Sequence, residues 1–313
     1  MSPLRRCVRA DTGRDGTKGL RWCGGEPIGG AGLNCLVLVE FPRKTGIIRF
    51  MSARTAPLPI PVRATDAHFY KYAEFADKKQ EWLKEILLAH KLYLPTLDQL
   101  NDPADGRPKL AAISEEKLFS FLYQIRLSKN PHMSPGQQNY ERQVLVHNLK
   151  QYGTDFITRE LSKSLNNELN DWRIYCLSKR WDNLSLWAKY ANGHSGYCLE
   201  FANIGSFFTS AKVVRYGEAP ELDLTNREHM DGRWFFCKRE VWSNEEEVRV
   251  LIPRHSRCKV QIDPSCLTRL ILGWKMADGD KQLIRKWAKE RLPELKVVSA
   301  IYDPADQALR IAA

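Results

Sequence analysis

The sequence predicts an α+β fold: a mixed or antiparallel split sheet, a helical insertion, and a disordered N-terminal tail. Three observations carry that reading. Short segments such as 173–177 and 246–252 alternate apolar and polar residues with the two-residue period of strands. Longer stretches such as 77–90 repeat apolar residues at helical spacing. The first 50 residues hold nine of the 19 glycines and show no hydrophobic periodicity before Leu33. Such a composition buries too little apolar surface to stay ordered.

Element by element, regularity begins near residue 66. Residues 69–75 form a short strand or turn, and 77–90 a helix with Trp82, Leu83, Ile86, Leu87 and His90 on one face. His90 covers core at the helix end. A strand follows over 91–97, then turn chemistry in Asn101-Asp102-Pro103 and Asp105-Gly106. Ser114 ahead of Glu115 and Glu116 is an N-cap signature for a helix striped by Leu118, Phe119, Leu122 and Ile125. Residues 131–136 break it, and a more polar helical stretch runs over 137–170, interrupted near Gly153. These two blocks form an insertion, about residues 114–170, in a single domain spanning 66–302.

A strand at 173–177 leads to a short helix capped by Asp182 or Asn183, with Leu184, Trp187, Ala188 and Ala191 on its core face. Asn192 and Gly193 tolerate the left-handed C-cap. Residues 196–201 resume a strand, with Tyr197, Leu199 and Phe201 on one side and Cys198 and Glu200 on the other. The remainder reads as strand 212–216, helix 228–239, strand 246–252, strand 269–273, helix 278–292 and strand 296–302.

The net charge of +11 suggests nucleic acid, but its distribution argues otherwise. Residues 1–65 hold 11 Lys and Arg against 4 Asp and Glu, whereas the other 248 hold 37 against 33. The surplus therefore belongs mainly to the tail, and nucleic-acid binding is not expected of the folded domain. Residues 1–50 read as a tail or as sequence upstream of a start at Met51. No run of about eighteen apolar residues exists, so no membrane partner is expected. Eight cysteines at irregular spacing, without a Cys-x-x-Cys pair, fit reduced thiols in a cytoplasmic protein. Cys176, His194 and Cys198 match no standard zinc spacing, so no metal is expected. Phosphate loops, nucleophile elbows and His-Glu-x-x-His helices are all missing from the sequence.

Candidate site residues cluster in two places. Tyr190 and His194 lie four apart across the end of the short helix, within reach of one ligand. Trp187 and Tyr190 serve either as pocket walls or as core aromatics. In 245–253 the period places Glu245, Glu247 and Arg249 on the face opposite Val248, Val250 and Ile252. That face meets either a cleft or solvent, where its ion pairs would be weak. In a cleft, carboxylates flanking a guanidinium raise one glutamate's proton affinity, hold the other ionised, and position a ribose hydroxyl or stabilise a developing cation. Lys71 and Tyr72 bind a phosphate or stack on a base, or else cap the sheet.

Five ordered motifs resemble the bacterial domain of unknown function numbered 2971, over about residues 66–302. They are Phe69-Tyr70-Lys71-Tyr72, Asn101-Asp102-Pro103, Cys176-Leu177-Ser178, Trp187-Ala188-Lys189-Tyr190-Ala191 with His194, and Trp242 with Glu245, Glu247 and Arg249. Lys189 stands where that family usually has histidine. The layout is also similar to ADP-ribosyltransferases, with a first-strand polar residue, a middle tyrosine and a late glutamate around nicotinamide dinucleotide. The resemblance implies Lys71 or Tyr72, then Tyr190, then Glu245 or Glu247 in those roles. Trp187, His194 and Arg249 are the further candidates for holding the dinucleotide. The alternative is a non-catalytic nucleotide- or protein-binding module of a bacterial stress or phage-defence system.

Overall fold

Tyr197, Leu199 and Phe201 alternate with Cys198 and Glu200, and all five are buried. A strand buried on both sides belongs in the middle of a sheet covered on both faces. That is its place in the computed structural model, which describes residues 63–312 except 77, 227–231, 253–257 and 292–293. The tail expected over 1–50 lies outside the described residues.

The main sheet has eight strands. In chain order they are β1 (His68–Ala73), β2 (Arg173–Ser178), β3 (Tyr197–Ala202), β4 (Lys212–Val213), β5 (Glu247–Ile252), β6 (Leu267–Leu272), β7 (Lys296–Asp303) and β8 (Ala308–Ile311). Their spatial order is β8-β7-β6-β3-β1-β2-β5-β4. The pairs are antiparallel except for β6 and β7, which run parallel, so the sheet is mixed. The pairing is uneven in the middle. β1 runs beside β3 from His68↔Ala202 to Ala73↔Tyr197, yet meets β2 only at Tyr70↔Ser178. The expected split is therefore a seam held by one residue pair within a continuous sheet.

Five helices longer than one turn are described: α1 (Lys78–Ala89), α2 (Glu115–Lys129), α3 (Pro135–Leu169), α4 (Leu184–Tyr190) and α5 (Asp278–Arg291). Helices α1 and α5 cover one face, where Leu83, Leu87 and Ile284 join Tyr175, Leu177, Leu199, Phe201, Val248 and Val250 in one core. Fully burying each such leucine contributes about 1.5–3 kcal/mol. Helix α4 covers part of the other face, with Trp187 and Ala191 against Tyr72, Cys198 and Ile271. No helix among the described residues is long and apolar enough to cross a membrane.

The insertion is the α2–α3 pair. Ser114 and Ser134 cap the two helices, and Pro135 occupies the first turn of α3, where its missing N–H is not needed. Gly153 interrupts α3 at φ 75° and ψ 159°, a conformation that a side chain disfavours.

Four expectations change. The strand over 91–97 shortens to Lys91–Tyr93, paired with Lys259–Gln261. Segment 212–216 divides: β4 joins the main sheet, and Arg215–Tyr216 pairs with Cys237–Lys238. The described part of 228–239 is a 3-10 turn, Arg233–Phe236, entering that short strand. Trp234, Phe235 and Phe236 are all buried there, and three consecutive buried side chains do not fit a one-sided helix. Strand β8 lies beyond the expected boundary at residue 302 and completes the edge of the sheet.

Candidate functional site

Where β1 and β2 part, a cleft of about 370 Å³ opens. Each of the five sequence motifs supplies a residue to its wall: Lys71, Asn101, Ser178, Tyr190 and Glu247 are examples. Register places Tyr70, Ser178 and Glu247 side by side on the α4 face. Lys71 bridges the seam, its Nζ donating to the Cys176 carbonyl oxygen at 2.9 Å and lying 5.0 Å from the Tyr175 ring centre.

The two glutamates reach the cleft by different routes. Glu245 ends a 3-10 segment, Glu240–Glu245, rather than standing in the strand. Glu246 then takes a left-handed φ of 44°, which breaks the period of two and throws its neighbours inward. Ser178 fixes this corner by donating from Oγ to the Glu245 carbonyl at 2.8 Å. The Glu245 carboxylate accepts from Tyr190 at 2.7 Å, Lys189 at 2.9 Å and Lys238 at 2.6 Å. Asn101 Nδ2 donates in turn to the Tyr190 hydroxyl at 3.3 Å. Glu247 is gripped by Arg249 through Nε at 2.7 Å and Nη2 at 3.0 Å, and by Lys238 at 2.9 Å. The same guanidinium donates to Asp105 at 2.7 Å and to the Phe235 carbonyl at 2.7 Å.

Both carboxylates are held ionised, contrary to the expectation that one would be raised. Burial pushes Glu247 up, but the adjoining Arg249 and then Lys238 outweigh it and bring the carboxyl to about 2. Burial also opposes ionisation of Glu245, and the bonds from Lys238, Lys189 and Tyr190 reverse the sign. Lys238 is kept protonated despite burial by Glu247 and Glu245. Burial, then the bond to Glu245, lifts the Tyr190 phenol far above its ordinary value, so it remains a donor. The solvated-strand reading of Glu247 and Arg249 does not hold: both are enclosed, Arg249 completely.

The structure separates the other candidates. Tyr72 lines the cleft, but its hydroxyl donates to the Arg180 carbonyl at 2.6 Å and its ring sits edge-on to Trp187 at 5.4 Å. Trp187 is core: fully buried, it donates from Nε1 to the Trp181 carbonyl and offers no face to a ligand. Leu186 is buried beside it, while Ala188, expected inside, is exposed. His194 sits at φ 74° in the turn after α4, against Trp274 at 5.7 Å and off the cleft wall. Arg249 is also off the wall; it holds Glu247 rather than a ligand. Asp102 is engaged by Arg239 and Trp242, which ties the Asn-Asp-Pro turn to the glutamate corner. Among the described residues no three His, Cys, Asp or Glu side chains group to hold a metal.

Two site residues were missed in the sequence. Lys238 joins Glu245, Glu247 and Asp105, at 3.7 Å from the last. Its signal is a cation placed directly after the apolar run Trp234-Phe235-Phe236-Cys237. Asp105, taken for turn chemistry, is enclosed on the cleft wall, and its Oδ1 has no hydrogen-bond partner.

Compared with protein-family models, with curated proteins and with solved structures, the chain matches none.

Proposed function

We propose that the seam cleft binds a nicotinamide dinucleotide and that the protein is an ADP-ribosyltransferase-like enzyme, with Glu245 and Tyr190 as its catalytic pair. The carrying observation is the 2.7 Å bond between the Tyr190 hydroxyl and the Glu245 carboxylate on the wall of that cleft. A carboxylate has about four lone-pair positions. Glu245 uses three on Tyr190, Lys189 and Lys238, which leaves one for a ribose hydroxyl. Its fixed negative charge then supports an oxocarbenium-like transition state. In the hydrolytic form of the reaction the bond from ribose C1 to the nicotinamide nitrogen breaks, and nicotinamide leaves with the electron pair. Water supplies the oxygen bonded to C1 and releases a proton.

Among the described residues Lys71 has a carbonyl and a ring as partners and no carboxylate, so its charge is open to a ligand phosphate. Glu247 becomes a support for the site, because Arg249 and Lys238 occupy it. Membership of the family numbered 2971 belongs to the same reading, supported by the meeting of all five motifs at one cleft. Release of nicotinamide measured by chromatography tests the proposal: Glu245→Gln lowers the rate by about 10²-fold or more, the scale for loss of one transition-state electrostatic contact. Bound dinucleotide with no product from the wild-type protein sinks it.

One observation favours a second reading. With three cationic or hydroxyl donors on Glu245 and a bidentate arginine on Glu247, the cleft floor is built to stay as it is. A non-catalytic nucleotide-binding module of a stress or phage-defence system fits that rigidity. Calorimetric binding of the dinucleotide without turnover selects it.

A further inference from the structure

We propose that Lys238 is the positioning residue of the site, the buried cation that ties Glu245 to Glu247 and fixes where the two carboxylates sit relative to each other. As a statement about catalysis this rests on the proposed dinucleotide chemistry; as a statement about the two carboxylates it does not.

The geometry singles Lys238 out. Its side chain is 4 % exposed, and Nζ lies 2.6 Å from Glu245, 2.9 Å from Glu247 and 3.7 Å from Asp105. Each carboxylate comes from a different element: the 3-10 corner, the start of β5, and the turn after Asn101-Asp102-Pro103. An ammonium has three donors, and here two go to glutamates 2.6 and 2.9 Å away. The other charged groups facing these carboxylates act on one side only. Arg249 lies behind Glu247 and Asp105, while Lys189 approaches Glu245 from the rim, where it also stands 3.6 Å from the Trp242 ring centre. Tyr190 is neutral and Cys176 is a thiol that burial, then Glu247, pushes up. Among the described residues Lys238 alone touches both glutamates.

The short strand Cys237–Lys238, paired with Arg215–Tyr216, holds the ammonium there. Tyr216 in the same pair accepts from the Glu247 backbone N–H at 2.7 Å. One two-stranded ribbon therefore fixes both the backbone and the charge of the glutamate corner. Remove the ammonium and Glu245 keeps Lys189 and Tyr190, Glu247 keeps Arg249, but nothing couples them. Burial is then less strongly opposed, and their proton affinities rise.

Carboxyl-carbon NMR titration of the full chain tests this without a ligand. In the wild-type protein Glu245 and Glu247 both titrate below the ordinary glutamate value of about 4.3. In Lys238→Met at least one moves up by about one pH unit or more, and Lys238→Arg restores most of the shift. Unchanged titration in Lys238→Met overturns the proposal. Should that variant fail to fold, the wild-type titration decides: either carboxyl titrating above about 4.5 overturns it equally. Nicotinamide release is read on the same proteins. A titration shift with no turnover in any of them defeats the catalytic reading of the cleft and leaves the role of Lys238 standing. Where turnover exists, its acidic limb moves to higher pH in Lys238→Met, a change that a merely destabilised but active fold would not produce.

Discussion

Arg249 carries no exposed surface, and its guanidinium serves two carboxylates and a backbone carbonyl. Replacing it with methionine fills the space but leaves Lys238 as the one cation facing both Glu247 and Asp105 among the described residues. Breaking one side of a buried ion network costs about 3–5 kcal/mol, so Arg249→Met is expected to lower urea stability by that amount. Glu245→Gln keeps its shape and is expected to lose less stability while losing turnover. At this scale the sequence was half legible. Tyr190 and Glu247 could be placed because helix spacing and strand alternation put each on a definite side, whereas Glu245 reaches the cleft from a 3-10 corner outside that alternation. Trp187 misled, since an aromatic on a short helix reads the same whether it faces a ligand or the core. Lys238 was hidden by the segment assigned to it, where a helix would have put it on a solvated flank.

Elements with a clean period were legible: β1, α1, β3 and the capped starts of α2 and α3 lie within a few residues of expectation. The 3-10 segments were not, because no periodicity marks three to six residues of tight turn. The corner Glu245-Glu246-Glu247 illustrates the loss, where a run of three glutamates hides a left-handed residue between two inward ones. Elements also meet at glycines. A Cβ on Gly273 would come within 2.1 Å of the His194 carbonyl oxygen and 2.8 Å of that of Gly196, both main-chain atoms without room to yield. Gly273→Ala is therefore expected to destabilise by about 3 kcal/mol or more, read from the denaturant midpoint. The damage should centre on the loop after α4 and the end of β6.

For the molecule as a whole, the buried charges set the response to acid. Glu247 is depressed in the folded protein from 4.5 to about 2, so the unfolded chain binds its proton first as pH falls. Its stabilisation, of order 3 kcal/mol, is complete above about pH 4.5 and is lost as pH falls through about 2. Glu245 and Asp182 are depressed too and add in the same direction. Lys238 and Arg249 are raised, so their contribution is complete below their ordinary values and declines only in strong alkali. Denaturant unfolding is expected to give a midpoint nearly flat from about pH 6 to 9 and falling steeply below about 4.5. A midpoint that holds at pH 3 contradicts this. The α+β class was readable from element periods, whereas the strand order was not. It depends on pairings such as β1 with β3 and β2 with β5, between residues at least 69 positions apart, which no local pattern encodes.

The lone rung between Tyr70 and Ser178 has a consequence for exchange with heavy water. Every other central junction of the sheet is laced along its length, but here a single rung joins the two strands, and of the β2 margin Ile174 is sheltered from outside the sheet, by the Pro95 carbonyl. Deuterium uptake should be fastest along the facing margins of β1 and β2, deep inside the protein. A molecule lodged between those margins would slow it there first, so mass spectrometry can report occupancy before anyone knows what the occupant is.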